Sequence, residues 1–186
     1  EELQDKGTMV VGITDFAPMD YRDDNGEWTG FDAEFARMFA KELGVDCEFF
    51  VIADWGQKFF ELDSKNIDAI WNGMTITDEV TLNTNCSKPY VINAQVVVMK
   101  ADADYSSTAD LVGKTIVAEA GSAGESAISE DESLSQADYV SKSVQTDCLM
   151  EVAAGTADAA VLDLTLATAM IGEGTDYANL AIKDEL

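Results

Sequence analysis

Short apolar runs alternate with amphipathic helical stretches along nearly the whole chain, and this alternation constrains the fold more than any other feature. TMVVGI (Thr8–Ile13) reads as a buried strand. FDAEFARMFAKELG follows, with Phe35, Met38, Phe39 and Leu43 at helical spacing, Asp32 placed as an N-cap and Gly44 as a stop. CEFFVI (Cys47–Ile52) is the next strand. A helix from near Gln57 carries Phe59, Phe60 and Leu62, and IDAIW (Ile67–Trp71) is a third strand. The order β-α-β-α-β predicts an open, mostly parallel α/β sheet.

After the apolar run Val91–Met99 and the polar break ADADYSSTAD, the alternation restarts. KTIVAE, ADYVSK, ADAAVL and NLAIK read as strands. GSAGESAI opens a helix, Gln145–Ala154 forms another ended by Gly155, and LTLATAMI forms a third. Two α/β lobes are expected, 1–93 and 94–186, with a hinge near 92–96.

Charge narrows the function. Thirty-six acidic residues against eleven basic ones give −25, with no histidine. Nucleic-acid binding needs a basic face that displaces counterions, so it is excluded, and an anionic membrane surface is disfavoured for the same reason. Cys47, Cys86 and Cys148 lie far apart without a CxxC pair. Buried free thiols are expected for all three, and no metal or cofactor is expected. No apolar run is long enough to cross a bilayer. EELQDKG is polar and not a signal peptide, which fits either a cytosolic chain or one whose leader was removed.

Ligands of open α/β sheets bind beyond the carboxyl ends of strands. Those ends read Thr14-Asp15-Phe16, Asp54-Trp55, Asn72-Gly73-Met74-Thr75, Glu119-Ala120-Gly121-Ser122-Ala123 and Asp163. Aromatics, hydroxyls, open backbone and acids in this mixture suit a small polar molecule.

The same residues carry a resemblance. DFAPMDYRDDNGEWTGFDAEFA, IDAIWNGMTITDE, SKPY, LVGKTIVAEAGS and TADAAVLD, in this order, resemble the family-3 solute-binding proteins that serve ABC importers for amino acids. The resemblance implies a periplasmic-binding-protein type II fold that closes on its ligand. It implies an extracytoplasmic location, a removed leader with a lipid tether in some bacteria, permease subunits as partners, and binding rather than catalysis. Ligand-sensing ectodomains and dehydratases of the same fold are the alternatives.

Position by position, Phe16 and Trp55 match the aromatics that sandwich the ligand. Asn72, Gly73 and Thr75 match a strand end that meets its amino and carboxylate groups. Ser122 and Ala123 match an anion-binding helix start, and Asp163 matches the acid that takes an ammonium. Plainer readings stay open: core packing for Phe16 and Trp55, helix capping for Ser122 and Asp163. Two departures stand out. Val80 occupies the place of the arginine that grips an α-carboxylate, and Glu119 that of a lysine in some relatives. Arg22 and Arg37 are not expected to reach the site. A ligand site short of positive charge is therefore expected, with Asp163, aided by Asp15 or Glu119, holding an amine. Family chains also continue with a segment that returns to the first lobe. Without it that lobe exposes a sheet edge and is expected to self-associate. The final KDEL is not read as a retention signal.

Overall fold

The strands and helices foreseen from the alternation form in the computed structural model, which describes residues 1–186. The chain divides into two compact units, Glu1–Val91 and Ile92–Leu186.

The first unit opens with α1 (Glu2–Lys6) and β1 (Thr8–Ile13). A small hairpin follows, β2 (Tyr21–Arg22) and β3 (Trp28–Thr29), then α2 (Phe31–Leu43), β4 (Asp46–Val51), a 3-10 turn at Trp55–Gln57, α3 (Lys58–Asp63), β5 (Ala69–Ile70) and α4 (Asp78–Asn83). Its sheet has the order β4-β1-β5, with both pairs parallel.

The second unit runs β6 (Gln95–Lys100), β7 (Thr115–Glu119), α5 (Ala123–Glu130), β8 (Asp138–Lys142), α6 (Gln145–Ala154), β9 (Ala159–Asp163), α7 (Leu164–Met170) and β10 (Leu180–Glu185). Its sheet order is β10-β6-β9-β7-β8. The β8-β7-β9 half is parallel and repeats the topology of the first unit, while β6 and β10 add antiparallel pairs. β6 precedes the alternation β7-α5-β8-α6-β9, and β10, though it follows α7, pairs with β6 rather than with β9, so no crossover between neighbouring strands obliges either to run parallel.

Both units use one device to fix their central strands. Asp68, just before β5, donates its N–H to Val10 O and accepts Val10 N–H on its carboxylate, each at 2.7 Å. Asp158, just before β9, does the same with Thr115, at 2.8 and 2.9 Å. The parallel register is pinned by a side chain as well as by the ladder.

The packing of α2 departs from the expected face. Ala33, Ala36 and Ala40 are buried, the last two with Met9, Val11 and Ile13 of β1. Phe35, Met38 and Phe39 lie on the opposite face, with Met38 65% exposed, and Leu43 is half-buried. Both faces repeat with helical spacing, and periodicity alone cannot rank them. Alanines let the helix approach the sheet closely. The aromatic face instead stacks on itself: Phe35 lies 5.0 Å from the Trp71 ring and 5.5 Å from Tyr90. Phe60 is likewise exposed, while Leu62 packs beside Ile52, Trp55 and Ile67. Gly44 ends α2 in the left-handed region, as expected. Asp32 does not cap it: Gly30 is the N-cap, and Asp32 sits inside the first turn. A Cβ on Gly30, at φ 115°, would meet Met19 O at 2.3 Å, so only glycine fits there.

Of the three free thiols, Cys148 is buried, Cys47 half-buried and Cys86 exposed, which corrects the expectation of three buried cysteines. Cys86 lies in an irregular, largely exposed stretch between α4 and β6 that offers no core to enter. No helix is long and apolar enough to cross a membrane.

Ala36→Leu is expected to cost about 1–3 kcal/mol in urea melts by overpacking the sheet side of α2. Met38→Gln, on the exposed face, is expected to stay within about 0.5 kcal/mol. The reverse ranking would put the aromatic face inward.

Candidate functional site

In the first unit the strand ends are stitched together by side chains. Asn72 accepts the Thr14 N–H at 2.6 Å and donates to Thr14 Oγ1 at 2.7 Å, which joins the end of β1 to the residues after β5. The Asn72 side chain is thereby committed to the scaffold.

Gly73 follows at φ 60°, and a Cβ there would meet Phe16 Cε1 at 2.7 Å. The Phe16 ring therefore lies directly on the Gly73 backbone. Gly73 donates its N–H to Asp32 Oδ2 at 2.5 Å, and Tyr90 donates its hydroxyl to Asp32 Oδ1 at 2.8 Å. Both carboxylate oxygens of this fully buried residue are thus engaged.

Beside it lies Asp20, also fully buried, whose two carboxyl oxygens have no hydrogen-bond partner. Burial pushes the Asp20 carboxyl up to about 9, and the Asp32 charge adds to this. Burial raises Asp32 as well, opposed by the Tyr90 hydroxyl and the Gly73 N–H.

Trp55 is buried with Ile52 and Ile67, against which Met74 also packs, and Thr75 is half-buried. Asp15 is exposed; partial burial raises its carboxyl and the Arg22 guanidinium opposes this. The two arginines are otherwise occupied. Arg22 lies over the Trp28 ring, and Arg37 over Phe49 while bonded to Glu34. Val80 is 3% exposed, an apolar side chain closed into the first turn of α4.

A cation that a reading of strand ends does not include lies beside Trp55. Lys58 is only 4% exposed, and its ammonium lies 5.2 Å from the centroid of the Trp55 ring and 4.6 Å from that of Phe59. The sequence held one signal for it. WGQK forms a tight turn, and residues three apart eclipse in such a turn, so Lys58 had to rise beside Trp55. A reading confined to the ends of strands stopped at Trp55.

In the second unit, Asp163 ends β9 and is 7% exposed. It does not cap α7 with its side chain. Gln95 donates to Oδ1 at 2.8 Å, Asn93 donates to the same oxygen, and Gln145 donates to Oδ2. Gln145 Oε1 also accepts the Asp163 N–H at 3.0 Å. The capping of α7 falls to Asn93 instead, whose Oδ1 accepts from both the N–H and the hydroxyl of Thr165. Glu119 ends β7, is 5% exposed, and lies 3.5 Å from Gln145 Nε2. Burial pushes the Cys148 thiol up, and the Glu119 charge adds to this.

Ser122 follows the plainer reading. Its hydroxyl accepts Glu125 N–H at 3.2 Å, while the Glu125 carboxylate accepts Gly121 N–H at 2.7 Å. The start of α5 therefore already holds a carboxylate of its own chain, and the half-buried Ala123 is its first residue.

These features accompany a clear relationship. A model of the bacterial extracellular solute-binding proteins, family 3, matches residues 9–169, and the chain belongs to that family. It is 36% identical over 118 residues to the L-cystine-binding protein TcyJ of Escherichia coli (strain K12), covering 62% of this chain and 44% of that protein. It is 31% identical over 170 residues to the probable amino-acid-binding protein YxeM of Bacillus subtilis (strain 168), covering 90% and 64%. The chain thus spans about half the length of these relatives. The structure of holo ArgBP from T. maritima superposes with a TM-score of 0.87 at 33% identity, over 97% of this chain and 78% of that one. The fold is that of a type II periplasmic binding protein.

The Asp20 carboxyl stabilises the native state most below about pH 4, the range of an unfolded aspartate, and this contribution is lost as pH rises toward about 9. Asp20→Asn is therefore expected to melt higher than the wild type at pH 8. The difference should shrink on acidification to pH 4. A difference independent of pH would show that Asp20 is not protonated in the fold.

Proposed function

We propose that this chain is the extracytoplasmic solute-binding component of an ABC importer, and that its ligand is a small polar, amine-bearing metabolite, an amino acid or a close relative of one. The observation that carries this reading is the environment of Asp163. Its carboxylate is surrounded by the amides of Asn93, Gln95 and Gln145. Neutral amides orient a carboxylate and leave its net charge in place, so it can still attract a ligand ammonium. Asp15, Phe16, Trp55, Asn72, Gly73, Thr75, Glu119, Ser122 and Ala123 are the remaining proposed contacts. Phe16 and Trp55 supply faces suited to the apolar or cationic parts of such a molecule. The names of the similar proteins, cystine-binding and amino-acid-binding, support binding without turnover, with permease subunits as partners.

Self-association belongs to the same proposal. β4 forms one edge of the first unit's sheet, and α2 presents Phe31, Phe35, Met38 and Phe39 on an exposed face. An open edge and an apolar patch both favour pairing of copies.

Isothermal titration against cystine, arginine, lysine and their decarboxylated amines is expected to show micromolar or tighter binding of at least one. Asp163→Asn is expected to weaken it about tenfold or more. A folded protein that binds none of them would reject the reading. Sedimentation velocity is expected to show a concentration-dependent dimer, and a monomer at every concentration would remove the self-association claim.

A further inference from the structure

We propose that the Asp20 carboxyl is a proton-dependent latch beneath Phe16 and Gly73, and that the surface these two residues offer loosens when the proton leaves. This rests on the solute-binding reading above only in treating Phe16 and Gly73 as ligand contacts.

Backbone geometry makes the connection. Asp20 and Phe16 close a tight turn: the Phe16 N–H donates to Asp20 O at 2.7 Å, and the Asp20 N–H donates to Phe16 O at 2.9 Å. The Phe16 ring lies on the Gly73 backbone, and Met19 packs there too, since a Cβ on Gly73 would meet Met19 Cγ at 3.2 Å. Met19 O accepts the Asp32 N–H at 2.9 Å, and Asp32 Oδ2 accepts the Gly73 N–H. Turn, helix start and strand end thus form one closed circuit. The Asp20 side chain lies fully buried beside Asp32, with no hydrogen bond to either oxygen.

Asp32 on α2 and Tyr90, after α4, are the titratable groups that face Asp20. From the segment after β5, Trp71 turns its indole toward Asp32 and Tyr90. Arg22, two residues beyond Asp20, lies over Trp28 and acts on Asp15 instead. An ionised Asp20 would therefore gain neither a donor nor a cation where it stands, and would face the Asp32 charge. Relief requires water, and the wall toward water is thin. Ala17 and Pro18 are half-buried, and Asp15, Tyr21 and Arg22 are exposed. Opening the Phe16–Asp20 turn hydrates the carboxylate, breaks the bridge and lifts the Phe16 ring from Gly73.

Linkage sets the pH range. In the closed turn burial and the Asp32 charge hold the carboxyl up to about 9. Opened to water it returns to about 4. The closed turn is most stable below the lower value, and each pH unit between the two makes opening about tenfold easier.

The test is deuterium exchange followed by NMR, on wild type and Asp20→Asn at pH 5 and pH 7, with no ligand present. In the wild type the amides of Phe16, Asp20 and Gly73 are expected to lose about a hundredfold in protection, relative to intrinsic exchange, between the two pH values. They are also expected to exchange at least about tenfold faster than the amides of β1, which wait for the whole unit to unfold. In Asp20→Asn the pH dependence is expected to vanish, with Asp32 common to both proteins. Wild-type protection that ignores pH, or that falls equally in Asp20→Asn, overturns the latch. Exchange no faster than in β1 overturns it as well, because the turn then opens only with the unit. Should Asp20→Asn fail to fold, the carboxyl 13C resonance of Asp20 in the wild type decides: it is expected to titrate above pH 7, and an ionised carboxyl at pH 7 sinks the proposal. Failure of the latch leaves the binding reading standing, and failure of the ligand titrations leaves the latch standing.

Discussion

The Asp32 carboxylate organises the first unit. It is fully buried, and it survives burial because the Gly73 N–H and the Tyr90 hydroxyl take one oxygen each. These three residues come from α2, from the segment after β5 and from the segment after α4. Three separate stretches, GFD, NGM and KPY, are thus tied at one carboxylate. Gly73 is the strand-end residue on which the Phe16 ring rests, so the backbone that faces the aromatic side chain is oriented from behind by an acid that touches nothing outside the scaffold. The adjacent Asp20 adds cost rather than support. Two carboxyls in one dry place cannot both ionise, and Asp20, without donors, is the one that keeps its proton.

The second unit reaches a comparable arrangement with different chemistry. Its strand-end acid, Asp163, is oriented by side-chain amides from two segments, the entry to β6 and the start of α6. In the first unit the acid lies behind the strand end and its neighbour Asn72 closes the strands together. In the second, the acid is the strand end and the amides lie around it. The shared β-α-β-α-β order and the Asp68 and Asp158 clasps show how far the two units agree. The contrast at the strand ends shows where they were free to diverge, because backbone topology fixes the place of these residues and not their hydrogen bonds.

Much of this was legible in the sequence. Strand and helix positions followed from apolar runs and glycine stops, since α6 and its Gly155 terminator depend only on local periodicity and a left-handed cap. What was not legible depended on choices between equivalent local patterns. α2 has two faces of equal helical spacing, and only the sheet's need for close approach selects the alanines. Asp32 sits where an N-cap is plausible, and only tertiary contacts with Gly73 and Tyr90 reveal its use. Ser122 and Asp163 both had a capping reading: Ser122 took it, while Asn93, seventy residues away in the chain, relieved Asp163 of it. Such exchanges of role over long sequence distances leave no local trace.

Val80 and Lys58 show the same limit of local reading. Reading a site by matching positions treats each residue as a fixed role, so Val80 reads as lost charge and Lys58 is passed over. Electrostatics does not depend on which element supplies the charge. An ammonium and a guanidinium supply the same charge and differ in geometry. Arginine offers a planar fork that selects a carboxylate's orientation. Lysine offers a point charge on a flexible stem, here disciplined by two aromatic faces. The Trp55 ring is one of these faces and is itself buried with Ile52 and Ile67. A substitution at Trp55 would therefore disturb core packing and the surroundings of the Lys58 ammonium together, through a single turn of chain, Trp55 to Lys58.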